Sequence, residues 1–191
     1  MMIRCFIAIE LDEDVRSRIE LLQGQLRRQL RGKDKGLKWV KSGSIHLTLK
    51  FLGEIEDKYI PDICSALSET VEEFSAFDFD IDRLGTFPEN GPARVLWLGI
   101  GQGSEQLAGL QDKIDQRLAD LGIEPEGKKF VAHLTLARIK NSDTGRELKE
   151  IVAGDISMDI GIQDVCEVRI IQSVSGKEGP SYVPVHTAKL K

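Results

Sequence analysis

One tetrapeptide, His-Leu-Thr-Leu, occurs twice in this chain, at 46–49 and again at 133–136. The chain has only three histidines, and two of them open these copies. Alternating apolar and polar residues with a β-branched threonine predict a half-buried strand at each place. Successive side chains leave a strand on opposite faces. His46 therefore shares a face with Thr48, and His133 with Thr135, while the leucines face the other way. An imidazole of ordinary pKa, about 6.5, serves as acid or as base near neutral pH. A threonine hydroxyl donates to a phosphoryl oxygen without being consumed. Two such pairs across a phosphate suffice for displacement at phosphorus, one ring taking a proton and the other returning it.

That chemistry calls for no cofactor and no metal. His46 and His133 lack the HxxxH or HExxH spacing of a metal site, and no acid lies inside either motif. Gly101-Gln102-Gly103 has Gln106 where a dinucleotide-binding GxGxxG needs its third glycine. One His-x-Thr alone is ordinary strand chemistry, because threonine favours strands and a lone strand histidine is usually a core or surface residue. The pair is informative: a duplication unrelated to chemistry gives no reason for both copies to keep both polar residues.

The elements that must position the motifs follow from periodicity. A first strand spans the apolar start, Met1 to Glu10. A helix follows with Asp12 as N-cap and Val15, Ile19, Leu22, Leu26 and Leu30 at helical spacing. Gly32 to Gly36 is a loop, and the first motif lies on a strand over 45–52 that ends at Gly53. A second helix begins near Asp57, with Pro61 in its first turns and Ile63, Leu67 and Val71 inward. Phe77, Phe79 and Ile81 alternate with aspartates as a strand, and a turn at Pro88 to Pro92 leads to another over 94–100. The second half repeats the pattern. A helix from Ser104 carries Leu107, Leu110, Ile114, Leu118 and Leu121 and is closed by Gly122. The His133 strand, a short helix over 146–152 and strands near Ile156, over 165–174 and over 182–190 complete it. The reading is an α+β chain, 1–191 as a single bilobal domain, each lobe an antiparallel-rich sheet backed by helices.

Composition bounds the setting. At 191 residues, 30% charged and 41% hydrophobic, the chain reads as a soluble globular protein. No run of 18 apolar residues is present, so no membrane partner is expected. Cys5, Cys64 and Cys166 are odd in number and widely spaced, which favours reduced thiols in a cytoplasm. The net charge of −5 argues against an anionic partner, but its distribution does not. Positions 27–50 hold eight basic residues and one acid, a local +7; 127–140 hold four and none, so the rest carries −16. Both motifs lie in the basic minority, as a phosphate site requires.

The paired His-x-Thr motifs resemble the two-histidine phosphoesterase superfamily. More narrowly, Arg4-Cys5-Phe6-Ile7-Ala8, then HLTLKFLG from His46 to Gly53, then HLTLAR from His133 to Arg138, and late Gly179-Pro180-Ser181-Tyr182, are similar to the 2'-5' RNA ligase family of RNA 2',3'-cyclic phosphodiesterases. The resemblance implies a pseudo-twofold pair of lobes around a central cleft with one motif on each. It implies hydrolysis of a terminal RNA 2',3'-cyclic phosphate to a 2'-phosphate, with the reverse 2'-5' joining as a related reaction; apart from the resemblance, a cytoplasmic monomer is expected. It makes His46 the proton donor and His133 the proton acceptor, with Thr48, Thr135 and Arg138 on the phosphate. The residues alone do not divide the two histidine roles, since the copies are chemically alike. Strict alternation puts Arg138 on the leucine face, so a bulge is needed to bring it to the site. Lys50 is expected on the site face two residues past Thr48. Phe6, read chiefly as core, and Tyr182 are candidates for stacking on a base; His186, with no threonine two residues on, is read as structural. Two other functions stay open: a phosphodiesterase for a small cyclic nucleotide, and an RNA-end binder without turnover.

Overall fold

The computed structural model describes residues 1–154, 156, 158–176 and 179–191. Among these, nine strands and four α-helices alternate: β1 Met2–Glu10, α1 Glu13–Leu30, β2 Leu37–Trp39, β3 His46–Glu56, α2 Ile60–Val71, β4 Phe77–Phe87, β5 Val95–Ile100, α3 Ser104–Ala119, β6 His133–Ile139, α4 Ser142–Ala153, β7 Ile162–Val165, β8 Glu167–Gly176 and β9 Gly179–Lys189. The strands pair antiparallel in the order β7-β4-β5-β6-β3-β1-β8-β9, with β2 added beside β6. Outward from the centre the order is β6-β5-β4-β7 on one side and β3-β1-β8-β9 on the other. That symmetry defines two lobes, one per motif. They meet where β3 and β6 pair through Leu47 and Leu134.

The lobes are not the two halves of the sequence. The His46 lobe takes β1 and β3 from the start of the chain and β8 and β9 from its end, while β4 to β7 build the His133 lobe. The helices cross over as well. After β1, α1 packs beneath β6 and against α4; after β5, α3 packs beneath β3 and against α2. The expected helix stripes are buried: Val15, Ile19, Leu22, Leu26 and Leu30 of α1, Ile63, Leu67 and Val71 of α2, and Leu107, Leu110, Ile114 and Leu118 of α3. They join Leu47, Leu49, Leu134 and Leu136 in one core on one face of the sheet. The opposite face carries a small separate cluster of Phe6, Ala8 and Ile171, with Tyr182 against it. This is the face of the motif histidines.

Several local expectations fail for identifiable reasons. β3 does not end at Gly53 but runs on to Glu56, since Gly53 (φ 72°) lies at a register shift that lets the strand pass Leu52 unpaired. Asp12 stands at the N-cap position of α1 without capping; Gln163 instead donates to its carboxylate at 3.0 Å and accepts from its backbone N–H at 2.8 Å. Leu121 lies beyond the end of α3 and is exposed, because the helix stops at Ala119. Ile156 is outside any strand, and the strand expected over 165–174 is broken at Cys166 into β7 and β8.

Candidate active site

Leu47 and Leu134 are wholly buried partners on the helix side, so their neighbours His46, Thr48, His133 and Thr135 all lie on the opposite face. Antiparallel register sets His46 toward Thr135 and Thr48 toward His133, with the two histidines on a diagonal. The ladder is confined to that one leucine pair, so the strands part on either side.

Each ring is held the same way. His46 Nδ1 lies 3.0 Å from the Ser44 carbonyl, and His133 Nδ1 lies 2.7 Å from the Val131 carbonyl. A carbonyl only accepts, so both Nδ1 atoms carry the proton and Nε2 is the reactive nitrogen in both. Among the described residues neither Nε2, nor the hydroxyl of Thr48 or Thr135, has a hydrogen-bond partner.

Their surroundings differ. His46 stacks on Phe6 (4.6 Å between centroids, 26°) and meets the edge of Tyr182 at 5.2 Å. Burial in this apolar wall lowers the His46 pKa to about 4, only partly offset by the Ser44 carbonyl. His133 sits at the edge of Phe87 (5.4 Å) and Trp97 (6.4 Å). The Trp97 indole lies across Gly85 and Gly99, where an added Cβ would stand 2.3 Å and 2.8 Å from its ring atoms. Only glycine admits that close approach.

The lowered His46 pKa has a consequence for stability. Between pH 6.5 and 4 the unfolded chain binds a proton at this histidine that the folded chain refuses. Stability is therefore full above pH 6.5 and falls as pH drops through that window, by at most about 3 kcal/mol. Urea unfolding of wild type and His46→Gln at pH 7 and pH 4.5 should show the smaller acid loss in the variant. Equal losses in both would mean that burial of His46 does not set its protonation.

A bulge decides which further residues reach this face. Leu96 pairs with Ala137 but Trp97 with Thr135, leaving Leu136 as the extra residue in β6. Alternation shifts by one, so Ala137 is buried and Arg138 turns out on the side of His133 and Thr135. The same step occurs in β3, where Ile7 pairs with Lys50 and Ala8 with Thr48, past Leu49. Lys50 thereby leaves the site face, against expectation. It is 1% exposed, and its ammonium donates to the Asp115 carboxylate and, at 2.8 Å, to the Glu124 carbonyl. The residue matching Arg138 is Phe51, 62% exposed and 6.3 Å from Phe6. Writing HLTLKF under HLTLAR pairs Phe51 with Arg138 directly; the sequence held that signal.

The basic segment is only partly at the site. Lys38 pairs across from Arg138 and shares its face. Arg27 stacks over Trp39 (5.1 Å), and Lys33 pairs with Glu147 at 2.9 Å, away from the motifs. Two charged residues that the sequence did not single out also reach this wall: Glu10 lies directly across from His46, and Arg169 bonds both Glu10 and Glu167. His186 accepts or donates at Ser68 Oγ, 2.8 Å away on α2, as a structural residue does. Among the described residues no three His, Cys, Asp or Glu side chains converge as metal ligands, and no helix is long and apolar enough to cross a membrane.

An α+β fold with two like motifs on one sheet face defines a two-histidine phosphoesterase. The family model described as LigT-like phosphoesterase matches residues 9–97 and 98–160, and the chain belongs to that family. A Methanothermobacter thermautotrophicus protein named RNA 2',3'-cyclic phosphodiesterase is 29% identical over 190 residues, all of both chains. An Archaeoglobus fulgidus protein of the same name is 32% identical over 179 residues, 94% of this chain and 96% of that one. The crystal structure of Escherichia coli LigT with 3'-AMP superposes with a TM-score of 0.80 at 22% identity, over all of this chain and 99% of that one.

Proposed function

We propose that this chain is an RNA 2',3'-cyclic phosphodiesterase that opens a terminal cyclic phosphate to a 2'-phosphate. The observation that carries the reading is the pair of imidazoles on one sheet face, each pinned through Nδ1 with Nε2 free, beside two unengaged threonine hydroxyls. The names of its full-length relatives supply the substrate class.

In this reading His133 takes the proton of the attacking water, the P–O3' bond breaks, and His46 delivers a proton to the departing 3'-oxygen. Thr48, Thr135 and Arg138 hold the non-bridging oxygens. Burial leaves His46 neutral at neutral pH in the free protein. An arriving phosphate monoanion favours the imidazolium, so the acid is charged as substrate binds. With an RNA 5'-hydroxyl in the place of water, the same proton transfers would form a 2'-5' linkage. Nothing in the step needs a metal. Both histidines come from one chain, so a monomer suffices; its setting is the cytoplasm, where three unpaired cysteines stay reduced.

The test is turnover of an oligonucleotide ending in 2',3'-cyclic phosphate against the matching cyclic mononucleotide. The oligonucleotide should be turned over with the higher kcat/KM. Preference for the mononucleotide would favour a small-nucleotide phosphodiesterase, and binding without turnover an RNA-end binder; either would overturn the proposal.

A further inference from the structure

We propose that Gln23, on the far side of the sheet from the site, is a positioning residue for Arg138. Its amide holds the bulge that turns the arginine onto the catalytic face. The inference rests on the reading of Arg138 as a phosphate ligand.

Gln23 is the one polar residue in the buried stripe of α1 and is 2% exposed. Its Nε2 donates to two backbone carbonyls, Val40 at 2.9 Å and Leu136 at 3.2 Å. Carbonyls only accept, so the amide orientation is fixed and both its hydrogens are used. Leu136 is the extra residue of the β6 bulge, and its carbonyl also accepts from Val40 N–H at 2.8 Å. A carbonyl oxygen has two lone pairs, and at the bulge the Val40 N–H takes one and the Gln23 amide the other. Gln23 thus ties α1, the segment leading to the first motif, and β6 at one point. Were the ladder regular at Leu136, Arg138 would return to the leucine face and Ala137 would take its place. The bulge at Leu49 in the other lobe is also anchored from the crossing helix, there by Asp115 of α3 on Lys50. The two lobes solve one problem with different chemistry.

The experiment is a double-mutant cycle of Gln23→Met and Arg138→Ala, with kcat/KM on the cyclic-phosphate oligonucleotide and urea unfolding as readouts. Gln23→Met keeps the volume and removes both donors. Alone it should lower kcat/KM about 5- to 30-fold, the loss expected of one buried hydrogen-bond partner. In the Arg138→Ala background it should cost less than about twofold, since partners acting as one unit are not additive. A purely structural role would give the same loss in both backgrounds, and that result would overturn the proposal. If Arg138→Ala turns over at the wild-type rate, the reading of Arg138 itself has failed, and this inference with it. Should Gln23→Met not fold, Gln23→Asn, too short to span both carbonyls, enters the same cycle with the same criteria.

Discussion

His46→Ala and His133→Ala are each expected to lose about 10² to 10⁴ of the rate on an RNA 2',3'-cyclic phosphate, the usual contribution of a positioned acid or base. The double variant should be little slower than the poorer single one, because the proposed mechanism has the two rings serve a single displacement. Both rings are pinned at Nδ1 and present Nε2 to the site, so the loss of rate falls on the proton that Nε2 takes or gives. An aryl phosphodiester with p-nitrophenolate in place of the 3'-oxygen separates the roles, since its leaving group needs no proton. It should restore His46→Ala and leave His133→Ala slow. Rescue of His133→Ala instead would exchange the roles. Full activity of both single variants on the RNA would remove the two-histidine mechanism altogether.

Lys50→Ala is expected to be the most destabilising single change in the motif strands, by about 3–5 kcal/mol in urea unfolding. The bulge at Leu49 turns Lys50 into the core, where Asp115 and the Glu124 carbonyl take its ammonium protons. Asp115 also accepts from the Glu126 N–H at 3.2 and 3.1 Å, so the lysine anchors the segment after α3 as well. Removing the cation leaves a carboxylate that is only 15% exposed without its partner. Replacing both residues together, Lys50→Met with Asp115→Leu, should recover most of the loss, because apolar residues of similar volume avoid the desolvation of both charges. A loss under about 1 kcal/mol for Lys50→Ala would mean a pair weakened by solvent, as at the surface.

Period-two and helical patterns were enough to place the motif strands and three helix stripes, because each buries one face and alternation is strict where the ladder is regular. What they could not place follows from the bulges at Leu49 and Leu136. A single extra residue reverses every side chain beyond it, and nothing local in LTLKF or LTLAR marks the step. Lys50 and Arg138 thus change faces together, and the two copies read side by side match Phe51, not Lys50, with Arg138. Lobe composition was hidden for a different reason. Strand β8 pairs with β1 across more than 150 residues and carries β9 on its outer edge, and sequence periodicity carries no record of partners at that distance. The aromatic walls around His46 and His133 are likewise tertiary. Phe6, Tyr182, Phe87 and Trp97 come from four strands, and only register brings them to the rings.

Hydrolysis of a cyclic phosphate by two imidazoles without a metal can be followed on an oligonucleotide 2',3'-cyclic phosphate by ³¹P NMR in the presence of EDTA. The cyclic signal should be replaced by that of a 2'-phosphomonoester at an undiminished rate. A 3'-phosphate product, or activity lost to the chelator and restored by a divalent ion, would contradict it.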